Sequence, residues 1–129
     1  MADRTLTAIA AIYVLTGIYM FVLPVTFYQQ VPGVAMLGPY NSHFIRDAAL
    51  SFAASGIILW LGQHRNDYLL CLAGALWPIF HALFHMQMWM GRGFAVDLVA
   101  IVNLIGIQLP AWAALWASLR GLRLAGEED

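Results

Sequence analysis

Three histidines and two charged residues occur at spacings that would let their side chains act together. His81 and His85 lie four residues apart, so on a helix they share one face. His43 and Asp47 have the same spacing, and Arg46 directly precedes Asp47. Two imidazoles at this spacing can chelate one metal ion, and a third histidine and a carboxylate can complete the shell. The pattern predicts a ligand site built from His43, His81, His85 and Asp47.

Three ligand chemistries fit these residues. Imidazole binds copper, zinc and iron alike, so the ligand set selects none of these metals. A b-type haem would take axial histidines from two different helices, for example His43 and His81. A neutral histidine can also exchange protons with a small redox ligand such as a quinol, because its ordinary pKa lies near neutrality. Arg46 would clamp an anion or a carboxylate. The residues expected to surround the site are Asn41, Gln87, Arg92 and Asp97.

Some of these polar residues can be explained by their positions at the starts of helices. Asp47 and Asp97 each fall in the first turn of a predicted helix, where the helix dipole favours a negative charge. Asn41 or Ser42 can cap the second helix. Arg46 opposes the dipole and needs a partner, for which Asp47, Asp97 or an anionic ligand would serve. The alternative function is therefore structural: a subunit of a larger membrane complex, in which the polar cluster only locks the helices together.

Four long apolar segments must position these side chains. Hydrophobic residues make up 62% of the 129-residue chain and charged residues 10%, whereas a soluble domain carries about 25% charged residues. The segments cover about residues 5–28, 43–62, 68–90 and 94–119. Each is long enough to cross a hydrocarbon layer of ~30 Å as a helix. Residues 1–129 are therefore predicted to form one all-α membrane domain.

The connections between these segments are short, except for residues 29–42 after the first segment, and they predict an up-down-up-down four-helix bundle. The arginines divide unequally between its ends, with Arg4, Arg65, Arg120 and Arg123 at one end and Arg46 and Arg92 at the other. By the positive-inside rule, both termini are predicted to be cytoplasmic, which places the histidines in the outer half. Asn103 and Gln108 are assigned to the inner half, as its only strongly polar helix residues.

The residues at the start of the second helix carry a resemblance to a known family. Residues 41–47 read N-x-H-F-x-R-D and resemble small four-helix bacterial inner-membrane proteins of the DoxX-like kind. The resemblance covers this motif and the helix count. It implies a multi-pass protein of the bacterial plasma membrane and permits an accessory role beside quinone-using redox enzymes. The expected partners are the lipid bilayer, other membrane subunits or a second copy of the chain. Nucleic acid is not expected, because no basic patch is present.

Overall fold

The computed structural model describes residues 4–127, and these are almost entirely helical. The helices are α1 (Arg4–Val22), α2 (Pro24–Gln30), α3 (Ser42–His64), α4 (Tyr68–Gly91), α5 (Leu98–Asn103) and α6 (Leu109–Ala125), with a 3-10 turn at Val34–Leu37 and a π-helical segment at Leu104–Gln108. Four stretches are long and apolar enough to cross a membrane: α1, α3, α4 and the continuous helix Leu98–Ala125. The chain is thus a multi-pass membrane protein by helix length and hydropathy, as its composition predicts.

The spanning helices pack in sequence order. Helix α1 contacts α3, α3 contacts α4, and α4 contacts α6, which returns to α1 over a smaller interface. Near the start of α1, the Thr7 hydroxyl donates to Oε1 of Gln63, near the end of α3, over 2.7 Å. At the opposite end, Arg46 near the start of α3 reaches the carbonyl of Phe21 near the end of α1. Neighbouring helices therefore run antiparallel, and the predicted order of the bundle is confirmed.

These contacts define two ends of the bundle. The terminal end holds the start of α1, the α3–α4 turn and the end of α6. The pocket end holds residues 23–41 and the α4–α5 turn. Large apolar side chains cover the outside of the bundle, including Leu15 (65% exposed) on α1 and Leu69 (67% exposed) on α4. Such a surface suits contact with lipid, because acyl chains require no polar partner from the protein.

Side-chain caps determine where three helices begin. In each case a carboxylate or amide oxygen accepts the backbone N–H three residues on, and the pairs are Asn41 with Phe44, Asp67 with Leu70, and Asp97 with Ala100. Because Asp97 is a cap, the last spanning helix begins at Leu98, later than the predicted residue 94. Phe94 lies in the preceding turn with φ 58°, a left-handed conformation that a helix cannot contain.

The first predicted helix is interrupted. Pro24 has no backbone N–H and cannot continue the hydrogen-bond ladder, so α1 ends at Val22 and α2 begins at Pro24. The second predicted helix extends two residues further than the apolar pattern indicated, to His64, and the last extends to Ala125. Polar residues at helix ends carry little hydropathy signal, which is why the pattern underestimates these C-terminal limits.

Helices α1 and α3 approach closely through small residues. A methyl group added at Gly56 would lie 2.7 Å from the carbonyl oxygen of Ala10, and one added at Gly17 would lie 2.6 Å from that of Ala49. Small residues allow such backbone contact between membrane helices. The run of alanine, serine and glycine in α3 indicates this packing from sequence. The approach also fixes which face of α3 turns into the bundle.

Candidate functional site

A cavity of about 370 Å³ lies at the pocket end, between α1, α3, α4 and α5 and against residues 27–41. Its walls are mostly apolar or aromatic, and include Met20, Phe27, Ile45 and Phe52. The polar side chains in the lining include Asn41, His81, His85, Arg92 and Asn103. Binding sites for small molecules typically measure about 300–1,000 Å³ and combine apolar walls with a few polar groups. The cavity therefore has the character of a site for a small ligand.

His81 and His85 of α4 lie side by side in this lining, with ring centroids 4.5 Å apart. Trp77, one turn earlier, stacks on His81 at 4.8 Å and 12°. Phe52 of α3 meets the same imidazole edge-on at 5.5 Å. Within residues 4–127, neither imidazole forms a hydrogen bond to another residue. Aromatic packing thus fixes the orientation of His81, while the nitrogens of both rings have no protein partner.

His43 and Asp47 lie elsewhere. His43 Nδ1 is 2.9 Å from the Asp47 carboxylate, and their side chains are 86% and 61% exposed. Neither residue lines the cavity, whereas Ile45 and Phe52 of the same helix do. Since successive residues on a helix are ~100° apart, positions 43 and 47 lie on the face opposite to Ile45. The structure keeps both pairs that the spacing predicts, but it does not bring them together.

The separation of the two pairs weakens the prediction of a metal site. Among the described residues, no group of three or more His, Cys, Asp or Glu side chains is placed to hold a metal ion. The two cavity histidines have no carboxylate or third imidazole beside them in the lining. A metal shell drawn from His43, His81, His85 and Asp47 would need α3 to rotate by about half a turn.

Arg46 finds its partner on α1. Its Nε donates to the backbone carbonyl of Phe21 over 3.2 Å, and its guanidinium lies over the Phe21 ring, 5.7 Å from the centroid. The C-terminal end of a helix carries partial negative charge, so this contact compensates a cation that opposes its own helix dipole. The partner is a helix terminus that the break before Pro24 makes accessible. The two carboxylates predicted as partners, Asp47 and Asp97, form no ion pair with Arg46.

The α4–α5 turn beside the cavity is held by several contacts. Arg92 and Asp97 form an ion pair, and the indole N–H of Trp89 donates to the carbonyl of Ala95 over 2.8 Å. The N–H of Ala100 and the Arg92 guanidinium hold the pKa of the Asp97 carboxyl below its ordinary value. Among the predicted surrounding residues, Asn41 and Arg92 line the cavity, Asp97 holds Arg92, and Gln87 is exposed on α4 outside the lining.

Asn103 belongs to the cavity, although the sequence pattern assigns it to the opposite half. It lies five residues after the start of α5 at Leu98, and His85 lies six residues before the end of α4 at Gly91. At ~1.5 Å per residue, both side chains therefore lie roughly 8–9 Å below the pocket end. A helix that begins at residue 94 would place Asn103 about one turn deeper than the structure does. A helix that begins directly after an Asp97 cap places Asn103 at the observed depth.

Comparisons with known protein families, curated proteins and solved structures found no match to this chain. The architecture is that of a small four-helix membrane protein, and no family is identified. In the N-x-H-F-x-R-D segment, each of the four polar motif residues has a contact with another residue. Asn41 caps α3, Arg46 binds the end of α1, and His43 pairs with Asp47. The segment can therefore be explained by helix packing alone.

Proposed function

We propose that this protein binds a small, lipid-soluble ring compound such as a quinol, with His81 and His85 as its hydrogen-bonding groups. One observation carries the proposal: two adjacent imidazoles with no hydrogen-bonding partner among residues 4–127 line an apolar cavity within a membrane span. Polar side chains at such depth are costly and ordinarily find partners inside the bundle. A bound ligand would supply them.

The chemistry of the cavity matches such a ligand. A neutral imidazole offers one N–H donor and one acceptor nitrogen, so it can accept a hydrogen bond from a quinol hydroxyl. The rings of Phe27, Phe52 and Trp89 line the same space and favour offset or edge-on contact with another ring. A cavity of about 370 Å³ suits one substituted ring rather than a large ligand.

The quinol is favoured over the other two ligands for a geometric reason. A metal shell or a bis-histidine haem that includes His43 requires that residue to reach His81. A quinol requires only the two histidines that already face the cavity. Copper, zinc, iron and haem b therefore receive less support from the geometry than a ring ligand does.

A binding measurement with matched histidine variants tests the proposal. A short-chain quinol analogue would be titrated into the purified protein in lipid nanodiscs, with tryptophan fluorescence as the readout. Loss of a hydrogen-bonding partner for the ligand should weaken binding about tenfold in His85→Phe. His43→Phe is the control, because it changes a histidine outside the cavity and should bind as the wild type does. Lack of saturable binding, or equal affinities of the two variants, would overturn the proposal.

We also propose that the pocket end faces away from the cytoplasm, with both termini on the cytoplasmic side. The support is the placement of Arg4, Arg65, Arg120 and Arg123 at the terminal end. A membrane-impermeant thiol reagent should label Val96→Cys (90% exposed in the wild type) in intact cells and should not label Arg65→Cys. The wild-type protein is the background control, because Cys71 is fully buried. Labelling of Arg65→Cys alone would reverse the orientation.

A further inference from the structure

We infer that the Asn103 side chain donates a hydrogen bond to a carbonyl oxygen of the cavity ligand. The site would then recognise an oxygen-bearing ring, and Asn103 would favour its oxidised, quinone form. This inference rests on the proposed function and adds a residue and a ligand property to it. Its basis is a chain of hydrogen bonds that begins at Trp112.

Trp112 sets the orientation of Gln108. The indole N–H can only donate, and it does so to Oε1 of Gln108 over 3.0 Å. The Gln108 amide nitrogen must therefore point the other way, where it donates to the carbonyl of Ala82 over 2.8 Å. Gln108 is buried (5% exposed), so no solvent competes for these bonds. The amide of Gln108 thus has one permitted orientation.

Gln108 in turn sets the orientation of Asn103. The same Gln108 nitrogen lies 3.3 Å from Oδ1 of Asn103 and donates to it. With its oxygen engaged on that side, Asn103 has its Nδ2 group directed away from Gln108. No residue in the described chain accepts from this nitrogen. Asn103 lines the cavity, so its two N–H donors are available to a ligand there.

The cavity therefore carries two kinds of polar group, from two different helices. Neutral imidazoles on α4 can accept from a hydroxyl, whereas the Asn103 carboxamide on α5 offers only donors on its free side. A quinol hydroxyl can donate to an imidazole nitrogen, whereas a quinone carbonyl can only accept and is a stronger acceptor for the Asn103 N–H groups than a hydroxyl oxygen is. Because Asn103 cannot titrate, its preference for a carbonyl should not change with pH. Asn103 is in this sense a specificity-determining residue for the ligand's oxidation state.

The test compares quinone and quinol forms of one short-chain analogue in nanodiscs. Asn103→Leu should weaken quinone binding about tenfold, because a carbonyl would lose its donor, and quinol binding by less than about threefold. Trp112→Phe releases Gln108 and should shift the quinone-to-quinol affinity ratio in the same direction, by a smaller factor. Trp116→Phe is the matched control, since its indole contacts Arg120 rather than Gln108, and should leave the ratio unchanged.

The outcomes separate this inference from the function it rests on. If the wild type binds neither form, both are overturned. If the wild type binds both forms and Asn103→Leu weakens them equally or not at all, the role of Asn103 is overturned while the cavity remains a ligand site. If Asn103→Leu does not fold, the ratio measured in Trp112→Phe decides. Equal quinone-to-quinol affinity ratios in Trp112→Phe and Trp116→Phe would then refute the inference.

Discussion

The two halves of the bundle are packed in different ways. In the terminal half the helices meet directly, and Leu6, Leu59 and Cys71 are fully buried between them. The side-chain oxygen of Gln63 in that region accepts a hydrogen bond from Thr7. In the pocket half, no residue of α5 is buried, and two imidazoles face a cavity. The comparison indicates that direct helix packing in the terminal half stabilises a bundle that can remain open at the pocket end.

Two prolines lie where the helices depart from regular geometry. Pro24 separates α2 from α1, and Pro110 follows the π-helical segment 104–108, in which the Leu109 N–H bonds to the carbonyl of Leu104. A π-helical turn inserts one extra residue and is frequent at functional sites. Here it carries Gln108, which orients Asn103. Both irregular segments, α2 and the π-helical turn, contribute residues to the lining of the cavity.

The largest expected effect concerns the contact between α1 and α3. Gly56→Ala places a methyl group against the backbone of α1, which cannot move aside without separating the helices. We expect a loss of about 3 kcal/mol in the free energy of unfolding, measured by SDS titration in mixed micelles. Gly106→Ala is the matched control, since nothing lies within 4 Å of the added methyl group. Comparable losses of unfolding free energy in both variants would contradict the close packing of α1 against α3 at Gly56.

A second pair of variants compares the core with the cavity. Ala75 is fully buried, so Ala75→Leu should overpack the core and cost about 2 kcal/mol of unfolding free energy. Ala100→Leu extends a side chain into the cavity and should leave stability nearly unchanged while abolishing binding of the quinol analogue. Thermal unfolding in detergent and the nanodisc titration provide the two readouts. A strong destabilisation by Ala100→Leu would show that the cavity does not stay open.

A third comparison separates the charged residues at the start of α3. Arg46→Leu removes the hydrogen bond to the Phe21 carbonyl and should cost about 1–2 kcal/mol, because bonds to charged groups are comparatively strong. His43→Ala breaks only an exposed pair with Asp47 and should cost less than about 0.5 kcal/mol. The measurement is the same SDS titration. If His43→Ala proved the more harmful, the exposed pair would have a role beyond surface charge.

The smallest expected effect is a pH dependence in the α4–α5 turn. The pKa of Asp97 is lowered in the folded protein, so its ionised form stabilises the turn at every pH above its ordinary value of 3.8. This contribution is lost as the pH falls below 3.8 through the lowered pKa. The hydrogen-exchange protection factors of residues 92–100, which are corrected for the intrinsic pH dependence of exchange, should therefore fall at acidic pH in the wild type. Asp97→Asn keeps a capping oxygen but no charge, and its exchange should lack this dependence.

The sequence by itself determined the elements and their local geometry. Hydropathy and length predicted four spanning helices, because a lipid-facing helix needs about 20 apolar residues whatever its neighbours are. Spacing of four residues predicted that His81 and His85 would share a face, and that His43 and Asp47 would do so as well. Asn41 was identified as a possible cap. Each of these features depends on contacts within one helical turn or with lipid.

Only the tertiary structure decided how the helices are rotated about their axes. The face of α3 that enters the bundle is fixed by the contact of Gly17 and Gly56 with backbone across the α1–α3 interface, and this contact turns His43 away from His81. The partner of Arg46 is 25 residues away in sequence, at a carbonyl that carries no sequence signal. Spacing along one helix specifies relative direction only within that helix. Which side chains meet across the bundle depends on packing between backbones.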